Sequence, residues 1–228
     1  MIEHPAPLGR AELAAVVARD ISPRAYVNLG IGQPTAVADH LDPASGVVLH
    51  TENGMLGMGP HAHGDDIDPD LLNAGKIPVT ELPGASYFDH AQSFAMMRGG
   101  HLDVCVLGAF QVAEDGTLAN WHTGAPGAIP AVGGAMDLAV GAKAVFVMMT
   151  LFDKTGRPKL VRECTYPITG LRCVKRVYTD RAVFHLDSGG VHVTETYGIT
   201  IEELRTRLDV PLSTTTSTPD PPAFDGVR

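Results

Sequence analysis

Two almost uninterrupted apolar segments, residues 102–107 and 144–149, constrain the fold of this chain more than any other feature. Strands without polar alternation are typical of parallel sheets, because helices cover both faces of such a sheet. A third strand is predicted at residues 25–29, and a glycine turn and a helix at residues 37–41 follow it. This alternation predicts an α/β layered fold with a mostly parallel sheet, in which residues 102–107 form a central strand.

The other predicted elements have weaker signals in the sequence. Further helices are predicted at residues 8–21, 93–97, 135–142 and 201–205. The last of these begins with a capping box formed by Thr200 and Glu203. Short strands are predicted at residues 79–82, 159–161, 182–186 and 191–194, and a loop at residues 84–88. We expect the last two strands to pair as a hairpin and to belong to a smaller β element that covers the core.

The length of the chain, 228 residues, suits one α/β domain with a buried core. We assign residues 1–212 to this domain. Residues 213–228 are rich in Ser, Thr and Pro and poor in apolar side chains, which predicts a flexible tail.

Charge and composition argue against several classes of function. The formal net charge of -9 disfavours non-specific binding to nucleic acid, since neutralising phosphates requires a basic surface. No apolar run is long enough to cross a bilayer, and the first residues lack the features of a secretory signal, so we expect a cytoplasmic protein. The three cysteines lack metal-ligand spacing, and the two histidines at positions 61 and 63 lie in an acidic loop, so no metal site is predicted.

Glu52 is the main candidate for catalysis. It comes shortly after the apolar residues 47–49 and precedes a run of glycines that begins at Gly54. A strand that ends here would present Glu52 at the carboxyl edge of the sheet, where open α/β sheets bind ligands, and such a carboxylate is a candidate nucleophile. However, Asn53-Gly54 is also typical of a hairpin turn without a chemical role. The residues alone leave both interpretations open.

Two glycine-rich turns offer backbone amides for substrate oxygens. Gly30 and Gly32 follow the strand at residues 25–29, but the third glycine and the acidic residue of a dinucleotide fingerprint are missing, which argues against a Rossmann site. The amides of this turn are instead expected to face an acyl or phosphate oxygen. The second glycine-rich turn precedes the helix predicted at residues 135–142, and the amides of Gly134 and Ala135 should point outward from the start of this helix. This arrangement suits an oxyanion hole, or simply a tight junction that needs small residues.

The segment around Glu52 resembles the Ser-Glu-Asn-Gly motif of the β subunits of family I CoA-transferases, with Thr51 in place of the usual Ser. Similar blocks follow in the same order and spacing, at residues 27–32, 72–76, 97–103, 118–121, 133–138 and 164–170. The resemblance extends from about residue 10 to about residue 210, which makes it far more specific than a single motif. Residues 108–112 and 120–124 are most similar to the branch of the family that acts on 3-oxoadipate.

The resemblance implies the CoA-transferase fold, which is related to the folds of ribose-5-phosphate isomerase and glucosamine-6-phosphate isomerase. It implies that Glu52 is the catalytic nucleophile, which forms a glutamyl-CoA thioester, and that Gly134 supplies a catalytic amide. Substrate contacts are expected from Asn53, Gly54, Gly30, Gly32, Asn120, Gly133 and Ala135.

The same resemblance implies an enzyme that moves CoA from succinyl-CoA to 3-oxoadipate in the β-ketoadipate pathway of aromatic catabolism. Coenzyme A is then a substrate, no cofactor is tightly bound, and the partner is a CoA-transferase α subunit, in a heterodimer or an α2β2 assembly. A transferase for acetoacetate or another 3-oxoacid, a CoA-ester hydrolase and a non-catalytic ligand-binding protein are the alternatives on this fold.

Overall fold

The computed structural model describes residues 1–125, 127, 129–130 and 132–215. The helices are α1 (Arg10–Arg19), α2 (His90–Arg98), α3 (Ala135–Gly141) and α4 (Ile201–Arg207). The strands are β1 (Ile2–His4), β2 (Tyr26–Leu29), β3 (Val48–Thr51), β4 (Met55–His61), β5 (Val79–Tyr87), β6 (Val104–Leu107), β7 (Gln111–Ala113), β8 (Leu118–Ala119), β9 (Ala144–Met149), β10 (Leu160–Val161), β11 (Val174–Thr179), β12 (Ala182–Asp187), β13 (Gly190–Tyr197) and β14 (Leu212–Thr214). The helix predicted at residues 37–41 is part of a 3₁₀ helix, Gln33–His40.

Most strands belong to one large sheet whose centre is parallel. Five neighbouring strands, in the order β11-β9-β6-β2-β3, all run in the same direction. Antiparallel pairs flank them, β4 and β5 beyond β3, and β12 and β13 beyond β11. The predicted mixed α/β fold with a mostly parallel sheet is confirmed, and so is the central place of β6. The proposed relation to the two isomerase folds stays a prediction.

Both faces of the central strands are buried, as their continuous apolar sequence predicts. In β6, Val104 and Val106 pack on the face that α1 covers, whereas Cys105 and Leu107 pack on the opposite face, with Leu138 of α3. Because successive side chains of a strand point to opposite faces, two covered faces require apolar residues at every position. This arrangement fixes the carboxyl ends of β2, β3, β6 and β9 along one edge.

The small second sheet consists of β7, β8 and β10, with β7 antiparallel to β8 and parallel to β10. The expectation that the hairpin of residues 182–194 contributes to this smaller element is wrong. The hairpin is formed by β12 and β13 and extends the large sheet, because β12 pairs with β11. Of the predicted strands, only the one at residues 159–161 belongs to the small sheet.

Two further elements differ from the sequence-based predictions. Residues 84–88, predicted as a loop, lie largely within β5, where Gly84 has φ +89° in a region of shifted register against β4. A bulge of this kind explains how a glycine-containing segment stays paired. β11 has no counterpart among the predicted strands, since Lys175 and Arg176 interrupt its apolar pattern; Arg176 is nevertheless buried and forms an ion pair with Asp20 at 3.1 Å.

The domain at residues 1–212 and the flexible tail at residues 213–228 stay predictions. Ser213 and Thr214 belong to β14, which pairs with His192 and Val193 at the part of the β13 edge that β1 leaves open. Residues 216–228 of the predicted tail lie outside the described residues. Among the helices that the structure describes, none has the length and apolar character needed to span a membrane.

Candidate active site

Glu52 lies immediately after β3, in the turn that connects β3 to the antiparallel β4. The Gly54 amide donates to the Thr51 carbonyl at 3.1 Å, and the Met55 amide donates to the Thr51 hydroxyl oxygen at 3.1 Å. Gly54 has φ +112°, and a Cβ atom there would overlap the carbonyl oxygen of Phe88. The residues 52–54 are therefore a hairpin turn, and the same turn places Glu52 at the carboxyl edge of the sheet.

A cavity of about 480 Å³ opens at this edge, and the Glu52 side chain lines it. Its walls come from the residues that follow β2, β6 and β9 and from the start of α3. The lining residues are Gly30, Ile31, Gln33, Pro34, Glu52, Leu107, Gly108, Ala109, Phe110, Asn120, Val132, Gly133, Gly134, Ala135, Leu138, Met148, Met149, Thr150 and Lys159. A mostly apolar cavity of this size with a few polar groups is typical of small-molecule sites.

The backbone of Gly134, at the start of α3, packs against the Glu52 carboxylate. A Cβ atom at Gly134 would lie 2.7 Å from Glu52 Oε2 and 3.0 Å from its Cδ. The backbone of Gly134, with φ -86° and ψ 7°, is open to any amino acid. A side chain at position 134 would therefore displace the Glu52 carboxylate from its present position.

The structure brings together six of the predicted site residues and leaves three outside. Glu52, Gly134, Gly30, Asn120, Gly133 and Ala135 line the cavity, whereas Asn53, Gly54 and Gly32 do not. The Asn53 side-chain amide donates to the Leu72 carbonyl at 2.8 Å, which ties the turn to the neighbouring loop.

Two of the amides predicted to face a substrate are already occupied. The Gly30 amide donates to Val106 O at 2.8 Å, and the Ala135 amide donates to Val132 O at 3.2 Å. These amides are therefore not free to act as oxyanion donors, because each N–H has one hydrogen to give. Among the predicted amides at this helix start, Gly134 remains the candidate.

Asn120 forms part of the cavity wall and has its polar atoms held by neighbours. Its side-chain amide donates to Gly108 O at 3.1 Å, and its oxygen accepts from the Thr169 hydroxyl at 2.7 Å. A side chain with these bonds satisfied is rigid, so Asn120 shapes the wall beside Gly108.

A buried chain of hydrogen bonds supports the Glu52 turn from beneath, and no sequence motif predicts it. The Asn28 amide donates to His50 Nδ1 at 3.0 Å, and His50 Nε2 lies 3.1 Å from Ser93 Oγ. Because Asn28 can only donate from this nitrogen, His50 carries its proton on Nε2 and donates to Ser93. Ser93 in turn donates to the Thr51 carbonyl at 3.3 Å. The chain thus ends on the same carbonyl that accepts from Gly54.

The Ser93–His50 pair superficially resembles the nucleophile and base of a hydrolase. Ser93 is completely buried, however, and its hydroxyl proton is used by Thr51 O. Burial also lowers the pKa of His50 to about 4, so the imidazole is neutral at physiological pH. The pair therefore stabilises the turn, and an acyl substrate has no access to Ser93.

The buried neutral His50 predicts a specific pH dependence of stability. Because the folded pKa, about 4, lies below the ordinary value of 6.5, the unfolded chain binds the extra proton between these values. Stability is thus complete above pH 6.5 and falls as the pH decreases toward 4. From pH 7 to pH 5 the free energy of unfolding should decrease by about 2 kcal/mol more in the wild type than in His50→Gln. Urea titrations at the two pH values measure this difference, and equal pH slopes would contradict the assignment.

Lys159 also lines the cavity, although the sequence around it indicates only a short strand. Its side chain is half-buried, and burial lowers the pKa of its ammonium despite the attraction of Asp180 and Asp153. Among the described residues that line the cavity, Lys159 is the one with a basic side chain.

The site combines a carboxylate at the carboxyl edge of a parallel sheet with glycine backbone packed directly against it, an arrangement suited to covalent acyl transfer through a carboxylate. Comparison with known proteins agrees with this class. Residues 10–202 match the coenzyme A transferase family model. The chain belongs to the coenzyme A transferase family.

Several relatives are similar over nearly their whole length. The chain is 59% identical to the β subunit of the 3-oxoadipate CoA-transferase of Pseudomonas putida, over 90% of this chain and 96% of that protein. It is 56% identical to the protein of the same name from Acinetobacter baylyi, over 87% and 92%. The corresponding chain of the probable succinyl-CoA:3-ketoacid coenzyme A transferase of Bacillus subtilis is 46% identical, over 86% and 90%.

Solved structures support the fold. An acyl-CoA transferase from Escherichia coli O157:H7, determined as a thioester complex with CoA, has a TM-score of 0.70 at 22% identity and covers 92% of this chain and 42% of its own. Glutaconate coenzyme A-transferase from Acidaminococcus fermentans has a TM-score of 0.69 at 14% identity, with 94% and 91% covered. At these identities the likeness concerns the fold alone.

Proposed function

We propose that this chain is the β subunit of a CoA-transferase that moves CoA from succinyl-CoA to 3-oxoadipate through a glutamyl-CoA thioester on Glu52. The observation that carries the proposal is the Glu52 carboxylate in the cavity, with Gly134 packed so closely that a Cβ atom would lie 2.7 Å from Oε2. The 59% identity to a β subunit that is named for 3-oxoadipate supports this acceptor. We place the reaction in the cytoplasm and in the breakdown of aromatic compounds, as the family resemblance implies.

The reaction consists of two symmetrical exchanges. The Glu52 carboxylate attacks the carbonyl carbon of succinyl-CoA, and CoA leaves as a thiolate while a mixed anhydride forms. The thiolate then attacks the glutamyl carbonyl of the anhydride, which releases succinate and leaves CoA on Glu52 as a thioester. A carboxylate of 3-oxoadipate attacks this thioester and forms a second anhydride and CoA thiolate. Attack of the thiolate on the 3-oxoadipyl carbonyl releases 3-oxoadipyl-CoA and regenerates Glu52.

The position of Gly134 suits the step in which the glutamyl carbonyl is the electrophile. Each attack on this carbonyl places negative charge on its oxygen, and a backbone amide held at that position would stabilise the charge without reorganisation. We assign this role to the Gly134 amide, because the neighbouring Ala135 amide already donates to Val132.

We propose that an α subunit completes the site. The relatives from Pseudomonas putida and Acinetobacter baylyi are each named as one subunit of an enzyme. Two apolar residues at the cavity, Ile31 and Phe110, are 66% and 39% exposed. Such exposed apolar groups at a site are typical of surfaces that a partner covers. Covering them would also exclude water, which hydrolyses anhydrides and thioesters.

Acetoacetate or another 3-oxoacid is the second candidate acceptor. The Bacillus subtilis relative that is named for 3-ketoacids is 46% identical to this chain. A CoA-ester hydrolase acting through Ser93 or Cys105 is disfavoured, because both residues are completely buried.

The proposal predicts that CoA becomes covalently attached to Glu52. The chain and its α partner are incubated with acyl-CoA, and intact mass should then increase by the mass of CoA less one water. Borohydride should reduce the thioester and fix the loss of activity, and mild heating should cleave the chain near Glu52. The chain without its partner serves as the control and should remain unlabelled. A label on Ser86, Ser93 or Cys105, with Glu52 unmodified, would refute the mechanism.

A further inference from the structure

Lys159 brings a positive charge to a cavity in which the transfer chemistry uses only Glu52 and backbone. The Lys159 amide donates to Leu151 O at 2.9 Å, and its carbonyl accepts from Val112 at 2.9 Å, so both the segment after β9 and the small sheet hold its backbone. The residue lines the same cavity as Glu52.

The ammonium of Lys159 is attracted by Asp180 and Asp153 but forms no close pair with either. Within the described part of the chain, the structure shows neither an ion pair nor a side-chain hydrogen bond for its ammonium. The two carboxylates that attract it are paired with arginines: Asp180 with Arg181 at 3.5 Å and Asp153 with Arg157 at 2.9 Å. Burial disfavours the charged form of this ammonium, and a negatively charged ligand in the cavity would offset that effect.

Lys159 and Glu52 reach the same cavity from different parts of the sheet. Glu52 follows β3, whereas Lys159 is bonded to the residue that comes shortly after β9. The strand order β9-β6-β2-β3 puts three strand spacings, or roughly 14 Å, between the ends of β9 and β3. Because both residues line the same cavity, we expect a short dicarboxylate that occupies it to reach both of them.

We propose that Lys159 binds the second carboxylate of dicarboxylic substrates, the one that does not react with Glu52. This inference rests on the proposed function, in which succinyl-CoA and 3-oxoadipate both carry such a group. In each exchange one carboxyl carbon lies at Glu52 while the other end of the molecule pairs with the ammonium. A monocarboxylic substrate fills the cavity without this ion pair, and Lys159 thereby sets a preference for dicarboxylates.

The test compares dicarboxylic and monocarboxylic substrates in the complete complex with the α subunit. Lys159→Met removes the charge at similar length, Lys159→Arg retains it, and Lys154→Met in the exposed turn at residues 153–156 is the matched control. The rate of thioester formation on Glu52 is measured with succinyl-CoA and with acetyl-CoA. Transfer to 3-oxoadipate and to acetoacetate is measured as kcat/KM.

Lys159→Met should lower the values for succinyl-CoA and 3-oxoadipate by roughly 10- to 100-fold relative to those for acetyl-CoA and acetoacetate, as expected for loss of a charged hydrogen bond. Lys159→Arg should retain most of the preference, and Lys154→Met all of it. If Lys159→Met does not fold, Lys159→Gln takes its place.

Equal losses with both substrate classes, or no loss in either, would overturn the role of Lys159. The comparison of succinyl-CoA with acetyl-CoA tests Lys159 independently of whether 3-oxoadipate is the correct acceptor. A wild-type complex that uses acetoacetate but not 3-oxoadipate would refute the acceptor, while the succinyl-CoA to acetyl-CoA ratio would still decide on Lys159. A wild-type complex that forms no Glu52 thioester from either donor would refute the proposed function, and the Lys159 proposal with it.

Discussion

Glu52→Gln is expected to lower CoA transfer by at least about 10⁴-fold, the order of loss seen when a catalytic nucleophile is removed. The amide has nearly the shape of the carboxylate, but it is too poor a nucleophile to open a thioester. The turn itself should persist, because its hydrogen bonds use the Thr51 carbonyl and hydroxyl oxygens with the amides of Gly54 and Met55. Loss of activity without loss of stability is therefore the expected result.

The measurement is steady-state transfer by the purified variant together with its α partner, combined with urea unfolding of the chain. Glu202→Gln is the matched control, since Glu202 is an exposed glutamate in the first turn of α4, away from the cavity. This control should retain wild-type turnover. Turnover by Glu52→Gln within tenfold of the wild type would exclude Glu52 as the nucleophile.

The large sheet could be predicted from the sequence because its central strands carry an unusual pattern. Residues 102–107 and 144–149 are apolar at nearly every position, which only a strand covered on both faces requires, and they form β6 and β9. β11 has the same surroundings but contains Arg176, whose charge is neutralised by Asp20, a residue 156 positions earlier in the chain. A local pattern cannot reveal a partner at that distance, so β11 could not be predicted in the same way.

Within the site, Glu52 could be predicted from the sequence, whereas the available backbone amides could not. Glu52 could be identified because a carboxylate after an apolar strand, followed by glycines, is a local pattern with a local consequence. The two interpretations that the residues alone leave open proved compatible, since one turn both reverses the chain and presents the carboxylate. Which amides are free to bind a substrate oxygen could be decided only from the fold, because the Gly30 amide donates to Val106 O of a neighbouring strand.

His50 and Lys159 illustrate why the rest of the site could not be derived from sequence. His50 acts through Asn28 and Ser93, which come from β2 and α2 and meet only when these elements pack. Lys159 lines the cavity because its backbone amide donates to Leu151 O, in the segment that follows β9. Neither residue is surrounded in the sequence by others that share its role, so spacing carries no signal.

Gly134→Ala is expected to lower transfer by about 10²- to 10³-fold, because the new methyl group would occupy the space of the Glu52 carboxylate. Its Cβ would lie 2.7 Å from Oε2, closer than a carbon and an oxygen can approach without a shift. The carboxylate must therefore move away from the Gly134 amide that we assign to its carbonyl oxygen. The backbone at Gly134 accepts alanine without strain, so the free energy of unfolding should stay unchanged or increase slightly.

Gly108→Ala is the matched control for this substitution. Gly108 lines the same cavity, but a Cβ atom there would have no atom within 4 Å in the described residues. Gly108→Ala tests whether any added methyl group in the cavity lowers CoA transfer. Its loss of transfer activity should be much smaller than that of Gly134→Ala. The rate of thioester formation on Glu52 should show the same difference, because the displaced carboxylate is the group that reacts. If Gly134→Ala retains more than about a tenth of wild-type transfer, or loses no more than Gly108→Ala, the close contact between Gly134 and Glu52 has no catalytic importance.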